Sequence, residues 1–221
     1  MNLSEAIRAR HSVRQYKNKP LEQEKISALQ EEIDRCNRES GLHIQLVTNE
    51  PKAFDGFMAH YGKFSGVTNY IALIGKKGKK LEETCGYYGE RLALTAQQLG
   101  LNTCWVAMTY SKIKTAFTVG EGEKLCAVIS LGYGENQGTP HKTKTFSQVT
   151  KTEGTVPDWF GRGVEAALLA PTAMNQQKFL FTLDGSKVSS KAGMGFYTKL
   201  DLGIVKYHFE IGAGRENFRW N

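Results

Sequence analysis

Leu99-Gly100-Leu101-Asn102-Thr103-Cys104-Trp105 carries the chain out of one regular element and into another. The residues before it, 87–99, place apolar side chains three and four apart, which predicts a long helix. Gly100 suits the left-handed C-cap that ends such a helix, and Leu101 follows it as the apolar residue that packs behind the cap. The run 103–107 then reads as a buried strand.

On either side of this phrase, helices and strands alternate. A helix is expected over residues 21–36, where Pro20 precedes it and Ile26, Leu29 and Ile33 keep helical spacing. Alternation predicts a strand over 42–47, and a more uniformly apolar one over 69–74. Beyond the central phrase come a short helix near 111–117 and a strand over 125–130 that runs into Gly132-Tyr133-Gly134. Residues 135–157 are rich in Thr, Lys and Gly and read as a connector. A helix over 158–169, a strand over 178–183, a helix over 201–213 and a terminal strand over 215–221 follow. Helix, strand, helix, strand thus occurs twice, the second time abbreviated, which is the pattern of an internal duplication.

The 221 residues can bury a substantial core, and a composition of 40% hydrophobic and 23% charged residues is that of a globular chain. No apolar run approaches a membrane span, and Met1-Asn2-Leu3-Ser4-Glu5 lacks a signal-peptide core, so the cytoplasm is the expected compartment. Cys36, Cys85, Cys104 and Cys126 have neither paired nor metal-ligand spacing and are read as free buried thiols. The net charge of +7 favours anionic ligands, although much of it comes from Lys76, Lys77, Lys79, Lys80, Lys142, Lys144 and Lys151. No aromatic residues interleave those lysines as a nucleic-acid platform would require.

Three segments can carry chemistry. Arg10-His11-Ser12-Val13-Arg14 follows a short helix capped by Ser4 or Asn2. In an extended segment Arg10, Ser12 and Arg14 share a face, where guanidinium forks match phosphate oxygens. Lys142 and Lys144, again two apart, form a second basic pair. Residues 100–108, which include Trp105, Val106, Ala107 and Met108, can offer backbone groups to a flat heteroaromatic ring. Ala170-Pro171-Thr172-Ala173-Met174-Asn175-Gln176-Gln177 supplies the hydroxyls and amides suited to a flavin pyrimidine or a ribityl chain. The histidines form no recognisable triad, no catalytic side chain or metal set stands out, and the G-x-G-x-x-G dinucleotide fingerprint is absent.

Together, Arg10-His11-Ser12-Val13-Arg14-Gln15-Tyr16, the 99–105 phrase, Leu131-Gly132-Tyr133-Gly134 with Lys142 and Lys144, and the 170–177 phrase resemble the FMN-dependent nitroreductase family. The resemblance implies an α+β, three-layer fold with a central, mostly antiparallel sheet flanked by helices. It also implies a non-covalent FMN, with NADH or NADPH as donor and a nitroaromatic, quinone or related small molecule as acceptor. It assigns Arg10, His11, Ser12 and Arg14 to the phosphate and ribityl chain, with Lys142 and Lys144 as the second basic pair. Backbone at Ala107 and Met108 falls near flavin N5, and Pro171, Thr172, Ala173, Asn175 and Gln177 match the segment that reaches the flavin from the opposite subunit.

One departure bears on architecture. The A-P-S-x-x-N-x-Q phrase normally follows soon after the arginine motif, whereas that place here reads Arg35-Cys36-Asn37-Arg38-Glu39-Ser40 and the phrase appears at Pro171. This predicts a single-chain pseudo-dimer, with residues 1–150 carrying the phosphate site and 151–221 completing the flavin site, or one intertwined domain over 1–221; a homodimer is the other arrangement. The alternatives are an FMN protein of flavin storage or turnover, and a basic nucleic-acid-binding module.

Overall fold

The computed structural model describes residues 1–221 and divides into two compact units. One, here the N-terminal unit, comprises residues 9–81 and 91–139; the other, the C-terminal unit, comprises 1–8, 82–90 and 140–221.

In the N-terminal unit, helix α2 (Gln23–Ser40) precedes strand β1 (Gln45–Val47), a short helix α3 (Phe57–Tyr61) and strand β2 (Asn69–Lys76). Helix α4 (Leu81–Gln98) leads through the central phrase into β3 (Asn102–Val106), and β4 (Glu123–Gly132) closes the sheet. Gly100 takes φ +75° and Leu101 is fully buried beside Leu29, Ala96 and Leu131, as the cap reading requires. The sheet order is β1-β2-β4-β3, antiparallel throughout. Its seven consecutive buried residues in β2 explain why that stretch reads as uniformly apolar rather than alternating.

The C-terminal unit holds helix α1 (Leu3–Ala9), residues 82–90 of α4, a short helix α5 (Phe146–Val149), strand β5 (Thr150–Lys151), helix α6 (Asp158–Leu168), the hairpin β6 (Phe179–Asp184) and β7 (Lys187–Ala192), helix α7 (Thr198–Ala213) and strand β8 (Arg219–Trp220). Its sheet order is β5-β6-β7-β8, with β6 and β7 antiparallel and both edge strands parallel to their neighbours. Phe160, Phe181, Phe209, Phe218 and Trp220 form a continuous aromatic core with ring centroids 4.6 to 5.5 Å apart along its contacts.

The two sheets are related in topology. Removing β4 from the first leaves β1 antiparallel to β2, and β3 running in the direction of β2, because two antiparallel pairings in succession restore direction. The second sheet has the same relations in β6, β7 and β8, and the helices α2 and α4 correspond in order to α6 and α7.

Several sequence expectations change in detail. Residues 111–117 form turns, not a helix: Ile113 and Phe117 instead pack on the core that includes Tyr70 and Tyr110. The 42–47 strand shortens to Gln45–Val47, and Arg215–Asn217 is a 3-10 turn before a two-residue strand. The 135–157 connector contains α5, closed by a capping box between Thr145 and Gln148, and β5. Asn2, not Ser4, caps α1: its Oδ1 accepts from the Glu5 N–H at 2.9 Å while Glu5 Oε2 accepts from the Asn2 N–H. Cys36, Cys85 and Cys104 are buried and Cys126 is half-buried, all as free thiols. No helix is long and apolar enough to cross a membrane.

Candidate functional site

In the N-terminal unit the arginine motif runs alongside β3. Ser12 bridges to Thr103 in parallel register, and the Val13 N–H donates to the Thr103 carbonyl at 3.1 Å. Tyr16 continues the run: its N–H donates to the Ser65 carbonyl, and its phenol lies 2.9 Å from Ser130 Oγ. The motif is therefore extended because the sheet edge pairs with it, which is what places residues two apart on common faces.

The motif's side chains act electrostatically on Cys104. Burial pushes the Cys104 thiol up, while Arg14, a hydrogen bond with Ser12, and Arg10 all draw it down. The same two arginines act on Tyr16, whose phenol is raised by burial and by Cys104. Arg10, Ser12 and Arg14 thus share one neighbourhood. Arg10 is only 2% exposed, Ser12 is half-buried, and Arg14 is exposed with its guanidinium 5.9 Å from the Phe64 ring centroid. Gly138, at φ +73°, backs directly onto His11 and the Ser12 carbonyl, so a side chain there would collide with the motif.

Thr103 adds a group that the sequence did not single out. Its hydroxyl is buried beside Ser12 and has no hydrogen-bond partner. An unmet buried hydroxyl is costly unless a further group satisfies it, and guanidinium and hydroxyl donors are the groups that suit a phosphorylated polyol. Trp105 and Val106 end β3, the former half-buried and the latter buried. Ala107 and Met108 lie just past the strand, with Met108 65% exposed.

In the C-terminal unit the second basic pair and the Pro171 phrase are bound together. The Gln177 side chain accepts from the Lys144 N–H at 2.8 Å and donates to the Lys142 carbonyl at 2.8 Å, while Lys144 Nζ donates to the Gln177 carbonyl at 2.8 Å. Asn175 Nδ2 donates to the same Lys142 carbonyl, and the Gln177 N–H donates to Thr172 Oγ1. Gln177 is 2% exposed, with its amide engaged on both sides; its part is to seat the two segments on each other. Pro171, Thr172 and Ala173 are half-buried, and Lys142 is exposed. Between them Met174, Asn175 and Gln177 adopt φ of 51°, 53° and 45°, left-handed backbone in three non-glycine residues out of four.

The opposite side of this loop meets Asp201, a residue without a sequence signal. Its Oδ1 accepts from the Ala173 N–H at 2.9 Å and its Oδ2 from Gln176 Nε2 at 2.7 Å. Burial raises its carboxyl to about 6, opposed by those two hydrogen bonds.

The arrangement of sheets and helices is shared with solved nitroreductase structures. A "putative nitroreductase" from Thermotoga maritima superposes over 98% of this chain and 85% of its own, at TM-score 0.64 and 20% identity. A "putative NADH dehydrogenase/NAD(P)H nitroreductase" from Parabacteroides distasonis covers 67% of this chain and 97% of its own at 0.52 and 25% identity. A "putative nitroreductase in complex with FMN" from Desulfovibrio desulfuricans covers 67% and 94% at 0.50 and 15% identity. The fold is thus the nitroreductase α+β fold. A family model described as "Putative TM nitroreductase" matches residues 2–213, and the chain belongs to that nitroreductase family. No curated protein matches it in sequence.

Proposed function

We propose that this chain is an FMN-dependent oxidoreductase that takes hydride from NADH or NADPH and reduces a nitroaromatic, a quinone or a related small acceptor. The observation that carries the reading is that Arg10, Ser12 and Arg14 lie on an extended run along β3, with Ser12 paired to Thr103, whose buried hydroxyl has no protein partner. A dianionic phosphate on a polyol chain matches that donor set, and family membership supplies the cofactor class. When bound, FMN supplies the capacity to accept a hydride and pass two electrons on.

The chain's own residues have simpler tasks. Arg10 and Arg14 neutralise the phosphate, with Ser12 and Thr103 as hydroxyl donors and His11 beside them. Backbone at Trp105, Val106, Ala107 and Met108 lines the ring, and no side-chain acid or base is assigned to catalysis. Lys142 and Lys144 are proposed as the second basic pair, and Pro171, Thr172, Ala173, Asn175 and Gln177 as the other protein wall of the cofactor.

The chain is further proposed to be a fused pseudo-dimer retaining one flavin. The equal strand directions of β1-β2-β3 and β6-β7-β8 support this reading. So does the fold match in which neighbours nearly complete over their own lengths fill only two-thirds of this chain.

The test is the visible spectrum of the purified protein, release and identification of its chromophore, and oxidation of each nicotinamide with a nitroarene and a naphthoquinone. One FMN per chain with acceptor-dependent turnover is expected. A colourless protein that takes up no FMN would reject the function, and two flavins per chain would reject the retention of a single flavin site.

A further inference from the structure

A buried carboxylate with no cation beside it is expensive, and Asp201, at 3% exposure, is such a group. Acids in the first turn of a helix usually face solvent and complement the helix dipole. Asp201 instead turns inward and spends both oxygens on one loop, accepting from the Ala173 N–H and from Gln176 Nε2.

That loop needs holding. Three left-handed non-glycine residues, Met174, Asn175 and Gln177, carry a backbone cost that persists only where surrounding contacts enforce it. On one side the enforcement comes from Gln177 and Lys144. On the other it comes from Asp201, and the Gln176 amide adds to it, because Nε2 also donates to the Phe196 carbonyl at 2.8 Å. Gly195 makes room for this amide: a Cβ there would stand 2.6 Å from Gln176 Oε1. One carboxylate therefore ties loop 172–177 to loop 193–197 and to the start of α7.

We propose that Asp201 is a positioning residue for the cofactor wall, its carboxylate latching loop 172–177 through the Ala173 N–H and the Gln176 amide. The inference rests on the reading of that loop as a flavin contact, but the latch itself can be tested without flavin. Burial governs the carboxyl's titration.

Asp201→Asn keeps the volume and the Ala173 acceptor but sets two amide donors against each other at Gln176. Hydrogen exchange of the full-length protein without FMN reads the latch directly, because the Ala173 N–H is bonded to Asp201 itself and the Asn175, Gln176 and Gln177 N–H groups are bonded within the loop. Tenfold or faster exchange at these four amides is expected, with an unfolding midpoint no lower than that of the parent. In FMN titrations the variant is expected to bind several-fold more weakly. This split, a looser loop in a protein that is no less stable, is not what a merely structural residue would give. Gln176→Leu removes the same bond from the other side and is expected to loosen the same amides. Unchanged exchange in both variants overturns the latch, and so does loosening in Asp201→Asn that comes only with a lowered midpoint. If the parent takes up no FMN, the flavin reading fails while the exchange data still decide the latch.

Discussion

His208 Nε2 lies 2.9 Å from Glu90 Oε1, and both side chains are fully buried. His208 Nδ1 donates to the Ala166 carbonyl at 3.0 Å, so the imidazole joins α4, α6 and α7 within the C-terminal unit. Removing one member of such a pair strands the other in a dry core. Glu90→Ala is expected to cost about 3–5 kcal/mol of unfolding free energy. Glu90→Gln, which keeps a partner for Nε2, is expected to cost less than about 1.5 kcal/mol. Urea unfolding of both variants checks the contrast, and equal losses would mean that the carboxylate itself, not an amide partner of the same size, is what His208 requires.

About one turn of helix along, Gly86 of α4 and Gly203 of α7 let the backbones touch. A Cβ on Gly203 would run into the Glu83 carbonyl and the Tyr87 N–H, and one on Gly86 into the Leu200 carbonyl. Intrinsic propensity says that Gly→Ala in a helix stabilises by about 1 kcal/mol. At Gly203 the clash should win, and Gly203→Ala is expected to destabilise by about 1–3 kcal/mol or more. Gly161 on α6, with open space where its Cβ would stand, supplies the control: Gly161→Ala should raise the thermal midpoint. A stabilised Gly203→Ala would show that the helices can separate freely.

Arg14 and Arg10 share a neighbourhood but differ in burial, and the difference predicts different phenotypes. Arg14 is exposed, so Arg14→Ala should leave stability within about 0.5 kcal/mol. A charge-assisted bond to phosphate is worth about 1.5–3 kcal/mol, so FMN binding is expected to weaken about 10–100-fold. Arg10→Ala should lower stability as well as flavin content. Equal FMN content in the Arg14→Ala and parent proteins would remove Arg14 from the phosphate site.

Residues 87–105 were readable because helical spacing, a left-handed glycine and a following leucine all agree, while the first turns of α4, from Leu81, fall outside the expected span. Strand β7 was missed because Lys187-Val188-Ser189-Ser190-Lys191-Ala192 carries one β-branched apolar residue, and its pairing with β6 is what makes it a strand. The expected helix over 111–117 failed for the opposite reason: the spacing of Ile113 and Phe117 reflects two anchors of a turn on the Tyr70 core. At the site, the arginine motif was legible because alternation along an extended segment is local. Asp201 was not, since an acid at the start of a helix looks the same in sequence whether it faces water or a loop 28 residues earlier.

The titration of Asp201 should be visible in the stability of the protein. Its carboxyl is raised to about 6 in the folded chain from an ordinary 3.8, so between those values the folded state holds more protons than the unfolded state. The favourable contribution is therefore complete below about pH 4 and is lost as pH rises through 6. A difference of about two pKa units corresponds to about 3 kcal/mol. Surface carboxylates with lowered values, such as Glu22 and Glu123, work in the opposite direction, so the informative quantity is the difference between two proteins. Asp201→Asn cannot titrate. Measured by urea unfolding from pH 4.5 to 8, the stability of the parent relative to Asp201→Asn should fall with rising pH and level off above about 7. Parallel profiles would mean that Asp201 titrates as an ordinary solvated carboxylate.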